Sequence, residues 1–179
     1  MKKKKSVVCW GALGVTLLIM ALIFFLSAQP GQTSYGLSVR VTDALQHHAT
    51  TTIATPSWFS ANFHANVRKW AHVYIYCALG VSVSVTVYLF LKDCEKVKQK
   101  MMAKGMLFSA AICTVYAITD EFHQWFVPGR AALLTDVGVD ALGFLPCVAG
   151  TYLIIAWLRY RKRRRSFPES GDNRNLPSC

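Results

Sequence analysis

Charged residues are scarce in this sequence, and four long stretches have almost none. Only 16% of the 179 residues are Asp, Glu, Lys or Arg, whereas 53% are hydrophobic and the mean hydropathy is +0.30. The long apolar stretches are Val7–Leu26, Trp70–Leu91, Gly105–Phe126 and Val137–Leu158. This composition and its distribution argue against an ordinary soluble globular protein.

Each apolar stretch is long enough to cross a membrane as a helix. About 20 residues, at about 1.5 Å of rise each, span a hydrocarbon core of roughly 30 Å. The sequence therefore predicts an all-α membrane protein with four transmembrane helices, at about 7–26, 70–91, 105–126 and 137–158. The first stretch, which follows Lys2 to Lys5, could instead be a cleaved signal peptide. It is long for a signal, and Ser27-Ala28-Gln29 is an imperfect cleavage site, so we favour an uncleaved first helix.

Positive charge is nearly absent from alternate connecting segments. All but four of the 20 Lys and Arg residues lie in residues 1–6, 92–104 or 159–179. Because Lys and Arg concentrate on the cytoplasmic side of membrane proteins, we expect both termini inside the cell. Residues 1–6 and 159–179 are then basic cytoplasmic tails, the second disordered, around a membrane domain at 7–158. The net charge of +11 reflects topology and attraction to anionic lipid, and we expect no nucleic-acid partner.

Cysteine is absent from the two predicted outward-facing segments. Cys9, Cys77, Cys113 and Cys147 lie in the apolar stretches, where cysteine packs as a small hydrophobic side chain. We therefore expect no disulfide framework and no metal or redox role for the cysteines.

The first outward-facing segment combines turn and helix signals. Pro30-Gly31 marks a polar turn after the first span. Apolar residues then recur with helical spacing in 34–45 and again in 59–67, where the pattern continues into the second span. These pieces are too short and polar to cross a membrane. We expect short helices lying in the outer interface.

Polar and ionisable residues gather at the ends of three spans. Asp120, His123 and Gln124 line one stripe of the third span, and Glu121 lies about 100° around the helix from Asp120. The second and fourth spans begin, and the third ends, at the same predicted membrane face. We therefore expect ten polar residues to converge one to two turns below the outer surface: Arg68, Lys69, His72, Asp120, Glu121, His123, Gln124, Arg130, Asp136 and Asp140.

The same residues could serve structure alone. Buried charges are paired because an unpaired charge in an apolar surrounding costs roughly several kcal/mol of free energy. An internal network of ion pairs that holds three helices together is therefore the alternative. We favour a functional site, because ten polar groups exceed what fixing the helix positions needs.

Three segments resemble the VanZ-like integral membrane proteins of bacteria. They are FLSAQPGQTS, NVRKWAHVYIYCALG and DEFHQWFVPGRAALLTDVGVDALG, which lie within Phe25–Leu145. The shared pattern is R-K-x-x-H, then D-E-x-H-Q-x-F-x-P-x-R, then D-x-x-x-D. It is complete in this sequence and carries over to all ten residues named above and to Pro128. The family is named after an accessory determinant of resistance to teicoplanin, so the resemblance implies a role in glycopeptide or antimicrobial tolerance at the bacterial plasma membrane.

The first hypothesis for the site is binding of an anionic lipid or a lipid-linked cell-wall precursor. Arg68, Lys69 and Arg130 would engage phosphate or diphosphate. Gln124 and the carboxylates Asp120 and Asp136 would bind the polar remainder of the ligand. Such a protein could mask a precursor or block insertion of a lipid-tailed antibiotic.

The second hypothesis is an enzyme that hydrolyses or transfers a lipid phosphate. The catalytic candidates are His72, Asp120, Glu121, His123 and Asp140, residue types suited to acid–base work. A divalent metal is possible, with His72, Asp120, His123 and Asp140 as candidate ligands. Against this reading, the sequence has no Ser or Cys nucleophile motif, no His-Glu-x-x-His and no phosphatase signature.

Proton-coupled transport is the least favoured class. A conduction path needs polar residues along the whole membrane thickness. The halves of the four spans nearest the cytoplasm carry no charged residue, so a single chain offers no complete path.

Overall fold

The computed structural model is a bundle of four long helices. It describes residues 2–30, 36, 39–40, 63–91, 100–130 and 133–166. The helices are α1 (Lys2–Ser27), α2 (Phe63–Leu91), α3 (Lys100–Trp125) and α4 (Leu134–Ser166). All four are long and apolar enough to cross a membrane, with candidate spans Val7–Ser27, Lys69–Leu91, Met102–Trp125 and Leu134–Arg165. The prediction of an all-α protein with four membrane-length helices is confirmed.

The fourth helix extends further than the apolar pattern indicates. It continues past Leu158 through the basic residues to Ser166, within the segment predicted to be a disordered tail. Arg161 lies over the Trp157 ring at 4.4 Å, and Arg164 lies over the Tyr160 ring at 5.4 Å. These one-turn contacts, together with the favourable placement of cations at a helix C-terminus, stabilise the extension. Residues 167–179 lie outside the described residues. So does most of the two segments predicted as interfacial helices, 34–45 and 59–67, although residues 63–67 form the first turns of α2.

Helices α2 and α4 run in the same direction and pack very closely. A Cβ added to Gly80 would lie 2.9 Å from the carbonyl oxygen of Phe144, and a Cβ added to Gly143 would meet the carbonyl oxygen of Val73. Glycine at these two positions lets the backbones approach, as small residues do in membrane helix pairs. The α2–α4 pair is therefore a closely packed interface at the centre of the bundle.

The same interface contains a disulfide between Cys77 and Cys147. The expectation that all cysteines in the apolar stretches pack as small hydrophobic side chains was wrong for this pair. The close approach of α2 and α4 brings their Cα atoms to 5.5 Å, within the usual range for a disulfide. Cys9 and Cys113 are free thiols, and Cys113 is buried in the core.

Hydroxyl groups join the helices in the apolar part of the bundle. Thr16 Oγ1 lies 2.7 Å from Ser82 Oγ and 2.9 Å from Thr86 Oγ1, which joins α1 to α2. Ser109 Oγ lies 3.2 Å from the Tyr152 hydroxyl, which joins α3 to α4. Interhelical hydrogen bonds of this kind hold membrane helices together where the lipid gives no hydrophobic driving force. The buried core around them comprises Ile23, Tyr76, Leu79, Val83, Cys113, Ala117 and Phe144.

One end of the bundle collects the polar residues. Contacts between Ser27 and Asp120 and between His72 and Asp140 show that α1 and α3 end where α2 and α4 begin. The basic C-terminal turns of α4 lie at the opposite end. The fold thus brings together residues that are far apart in sequence.

Candidate functional site

Nine described residues at this end form what we call the polar cluster. All four helices contribute, together with the turn that follows α3. The members are Ser27, Lys69, His72, Asp120, Glu121, Gln124, Arg130, Asp136 and Asp140. Eight of them were predicted from sequence, and Ser27 was not.

Asp120 is held by two neutral donors. Ser27 Oγ donates a hydrogen bond of 2.9 Å to Asp120 Oδ2, and Gln124 Nε2 donates one of 3.0 Å to the same oxygen. Asp120 and Gln124 are one helical turn apart on α3, as the sequence spacing predicts. The other oxygen, Oδ1, is buried and has no hydrogen-bond partner among the described residues. One side of this carboxylate is therefore fixed while the other is available to a ligand.

Arg130 ties the turn after α3 to the end of α1. Its Nε donates to the Gln29 carbonyl at 3.1 Å, its Nη2 to the Leu26 carbonyl at 3.2 Å, and its Nη1 to Gln124 Oε1 at 3.0 Å. The last carbonyls of a helix lack partners within the helix, and a guanidinium can satisfy several of them. Gly129, with φ of 76°, makes the turn that places Arg130 there. Arg130 thus has a structural role that the sequence did not predict.

Two side-chain pairs join α2 to α4. Lys69 Nζ lies 3.7 Å from Asp136 Oδ1, and His72 Nδ1 lies 3.3 Å from Asp140 Oδ1. The Lys69–Asp136 pair is about a quarter exposed, whereas Asp140 is buried. The two pairs follow the parallel packing of the helices, since the His72–Asp140 pair lies one turn further along both α2 and α4 than the Lys69–Asp136 pair. Arg68 also lies in α2, but its side chain is outside what the structure describes.

Glu121 supports the start of α4. Its Oε2 accepts a hydrogen bond of 3.2 Å from the Leu133 backbone N–H, just before the first residue of the helix. A carboxylate at a helix N-terminus satisfies an otherwise unpaired donor and interacts favourably with the helix dipole. Glu121, predicted as a catalytic candidate, therefore has a structural partner in this fold.

His72, Asp120 and Asp140 come together from three different helices. Their potential ligand atoms all lie within 4.8 Å of one another, a grouping that could hold a metal ion. His123, the fourth predicted metal ligand, is not in this group: its ring stacks on Phe24 of α1 with the centroids 4.2 Å apart. His123 faces α1 because it lies three residues after Asp120 on the same stripe of α3.

Two spaces adjoin the polar cluster. A cavity of about 20 Å³, which is room for one water molecule, is lined by Lys69, His72, Glu121, Gln124, Asp136, Val139 and Asp140. A larger open groove of about 580 Å³ lies between α3 and α4. Its lining is mainly apolar: Ile118, Phe122, Trp125, Leu133, Leu134 and Val137, with Glu121 and Arg130.

The sequence reasoning missed the contribution of α1. Ser27 is buried against Asp120, and the backbone carbonyls of Leu26 and Gln29 receive Arg130. Nothing in the sequence indicated that Tyr76, which is fully buried in α2, lies beside the polar cluster. A polar residue at the end of a long apolar helix was the available signal for Ser27, whereas backbone carbonyl partners leave no signal in the sequence.

Comparison with known proteins identifies the family. The VanZ/LLP1 family model matches residues 12–158, which contain two of the candidate spans completely, most of the other two, and every member of the polar cluster. No curated protein and no solved structure matches the chain. Because the match covers most of the chain, this multi-pass membrane protein belongs to the VanZ/LLP1 family.

Proposed function

We propose that this protein binds an anionic lipid or a lipid-linked envelope precursor at the outer face of the bacterial plasma membrane. The observation that carries the proposal is the apolar groove between α3 and α4, because it runs up to Arg130 and the polar cluster. An apolar channel with a cation at its end matches a ligand with a hydrocarbon tail and a phosphate head.

The distribution of charge supports the outward orientation. Arg159 and Arg161–Arg165 lie at the end of α4 away from the polar cluster. Lys and Arg near membrane helices are retained in the cytoplasm, so the end with the polar cluster would face outward. With this orientation the groove would lie in the outer leaflet, where precursors of the cell envelope are displayed.

Lipid is the occupant that the groove would meet. Its walls lie on the outer surface of two membrane-spanning helices, and Leu134 and Trp125 are 88% and 69% exposed. Such side chains contact hydrocarbon when the helices are in a bilayer. The groove volume lies within the usual range for small-molecule sites, about 300–1,000 Å³. A lipid tail could therefore rest between α3 and α4 with its head near Arg130.

The charged head would meet groups of both signs. Arg130 lines the groove, and Lys69 lies across the small cavity beside Asp136. A phosphate could accept hydrogen bonds from Arg130, while a sugar or peptide could bond to Gln124 or the carboxylates. By binding a precursor or an anionic headgroup, the protein would make that target less accessible to glycopeptides and other lipid-tailed antimicrobials.

Native mass spectrometry tests the proposal. The purified protein is mixed with equal amounts of phosphatidylglycerol, phosphatidylethanolamine and an isoprenyl diphosphate. We expect it to retain phosphatidylglycerol or the isoprenyl diphosphate in preference to phosphatidylethanolamine. Leu134→Trp, which fills the groove, should reduce retention several-fold, whereas Leu153→Trp should not. Leu153 is a matched control because it is 71% exposed on the same helix and does not line the groove. Equal retention by the two variants, or no preference for anionic lipid, would overturn the proposal.

A second candidate function is hydrolysis or transfer at a lipid phosphate. The grouping of His72, Asp120 and Asp140, next to a cavity that has room for one water, favours it. Comparative lipid analysis of cells that express the wild type or His72→Ala separates the two functions. A lipid whose mass changes with the wild type and reverts in the variant indicates an enzyme. Unchanged masses with a loss of drug tolerance indicate binding.

A further inference from the structure

We propose that His72, Asp120 and Asp140 form a binding site for one divalent transition-metal ion, Zn²⁺ or Mn²⁺, in the interior of the bundle. The donors come from α2, α3 and α4, one from each helix. The three donors lie outside the groove between α3 and α4, because none of them lines it.

The burial of the two carboxylates is the first argument. Asp120 is 3% exposed and Asp140 is 1% exposed. Taking a carboxylate out of water is costly unless a cation or several donors compensate. Asp120 Oδ2 accepts hydrogen bonds from uncharged Ser27 and Gln124, and Asp140 Oδ1 faces His72. A divalent cation between the two carboxylates would compensate both charges at once.

The second argument is the set of buried polar atoms without partners. Asp120 Oδ1 and Asp140 Oδ2 each lack a hydrogen-bond partner within the part of the chain that the structure describes. The Tyr76 hydroxyl, buried beside Asp120, can donate a hydrogen bond to that carboxylate. Buried polar atoms are nearly always paired, and unpaired ones often mark the place of an ion or a water. Each carboxylate thus has one oxygen held by the protein and one available to a metal.

The chemistry of the donors favours a transition-metal ion such as Zn²⁺ or Mn²⁺. Imidazole suits zinc and other transition metals, and carboxylates suit harder ions such as manganese. Three protein ligands with a remaining position for water are typical of catalytic zinc sites. The cavity of about 20 Å³ is lined by His72 and Asp140 and has room for that water. The hydrogen bonds to Asp120 from Ser27 and Gln124 act as outer-shell contacts that orient a ligand.

The neighbouring ionisable residues have other contacts, although Asp136 Oδ1 and His123 Nε2 are also buried without a hydrogen-bond partner among the described residues. Asp136 pairs with Lys69, Glu121 accepts the Leu133 N–H, and His123 stacks on Phe24. They provide matched controls, because each lies at the same end of the bundle without belonging to the donor set. We therefore expect metal content to depend on His72, Asp120 and Asp140 and not on Asp136 or His123.

Metal analysis of the purified protein tests this site. The protein is stripped with a chelator, reloaded with Zn²⁺ or Mn²⁺, freed of excess ion, and measured by elemental mass spectrometry. We expect about one ion per chain for the wild type, as for a dedicated site. His72→Ala, Asp120→Asn and Asp140→Asn should lose most of it, while Asp136→Asn and His123→Ala should keep it. The isosteric Asp→Asn changes preserve shape, and size-exclusion profiles verify that each variant is folded.

Electron paramagnetic resonance of bound Mn²⁺ tests whether these residues are its ligands. Mn²⁺ bound to the wild type should give an electron paramagnetic resonance signal distinct from that of the hydrated ion, and Asp140→Asn should abolish the distinct signal. No stoichiometric ion in the reloaded wild type would overturn the proposal. Equal metal content in Asp140→Asn and Asp136→Asn would also overturn it. Lipid retention can be measured in the same samples, so that failure of the metal site is distinguishable from failure of the lipid proposal.

Discussion

Ser27 donates a hydrogen bond of 2.9 Å to the carboxylate of Asp120, which joins the end of α1 to the polar stripe of α3. Both residues are buried, at 1% and 3% exposure. Through this contact the first helix becomes part of the candidate site, although it contributes no ionisable residue to it. The four helices therefore converge on the polar cluster, and each supplies at least one of its contacts.

Ser27→Ala should destabilise the bundle by about 0.5–1.5 kcal/mol, because Asp120 loses one of two donors to its buried Oδ2. Thr119→Ala is the control: Thr119 is exposed and donates only to a carbonyl of its own helix. Thermal unfolding in detergent, followed by circular dichroism, measures both variants. A loss for Ser27→Ala no greater than for Thr119→Ala would contradict the role given to this contact.

Arg130→Lys should loosen the end of α1 even though the charge is kept. One ammonium cannot reproduce the planar geometry with which the guanidinium reaches the Leu26 and Gln29 carbonyls and Gln124. Hydrogen exchange should rise at the C-terminal turn of α1 and stay unchanged in the α2–α4 interface. If Arg130→Lys behaved as the wild type, its role would be that of a point charge and not of a helix cap.

Gly143→Ala should cost roughly 1–3 kcal/mol of stability, because the added methyl group meets the backbone of Val73 and the helices must move apart. Gly138, on the same helix, has nothing within 4 Å of an added Cβ. Gly138→Ala should therefore be neutral or stabilising by up to about 1 kcal/mol, since alanine favours helix. Unfolding temperatures of the two variants, measured side by side, test the close packing. Equal effects would contradict it.

Much of this architecture could be predicted from the sequence. The four helices follow from long uncharged stretches, and the convergence of His72, Asp120 and Asp140 follows from helix spacing and alternation of direction. The roles of Arg130 and of Cys77 with Cys147 could not be predicted, because they depend on how the helices pack. Helical spacing shows which residues share one face of a helix, but it does not show which other helix that face contacts. His123 illustrates this: the spacing showed that it shares a stripe of α3 with Asp120, but not that this stripe contacts Phe24 and Ser27 of α1.

A cysteine at position 128 tests the orientation of the bundle. Pro128 is exposed in the turn after α3, and Arg163 is exposed at the opposite end of α4. In a background in which the four cysteines outside the disulfide are serine, Pro128→Cys should react with a membrane-impermeant thiol reagent on intact cells. Arg163→Cys should react only after the cells are permeabilised. The reverse result would place the polar cluster on the cytoplasmic side.

Site-specific photo-crosslinking to lipid tests the central claim most directly. A photoreactive amino acid replaces Leu134 in the groove or Leu153 outside it, and lipids attached to the protein in living cells are identified by mass spectrometry. The account predicts that position 134 captures one anionic or diphosphate-bearing lipid class well above its abundance in the membrane. Position 153 should capture the bulk lipids in proportion to their abundance. The same lipid mixture at both positions would contradict the claim that this groove is a binding site.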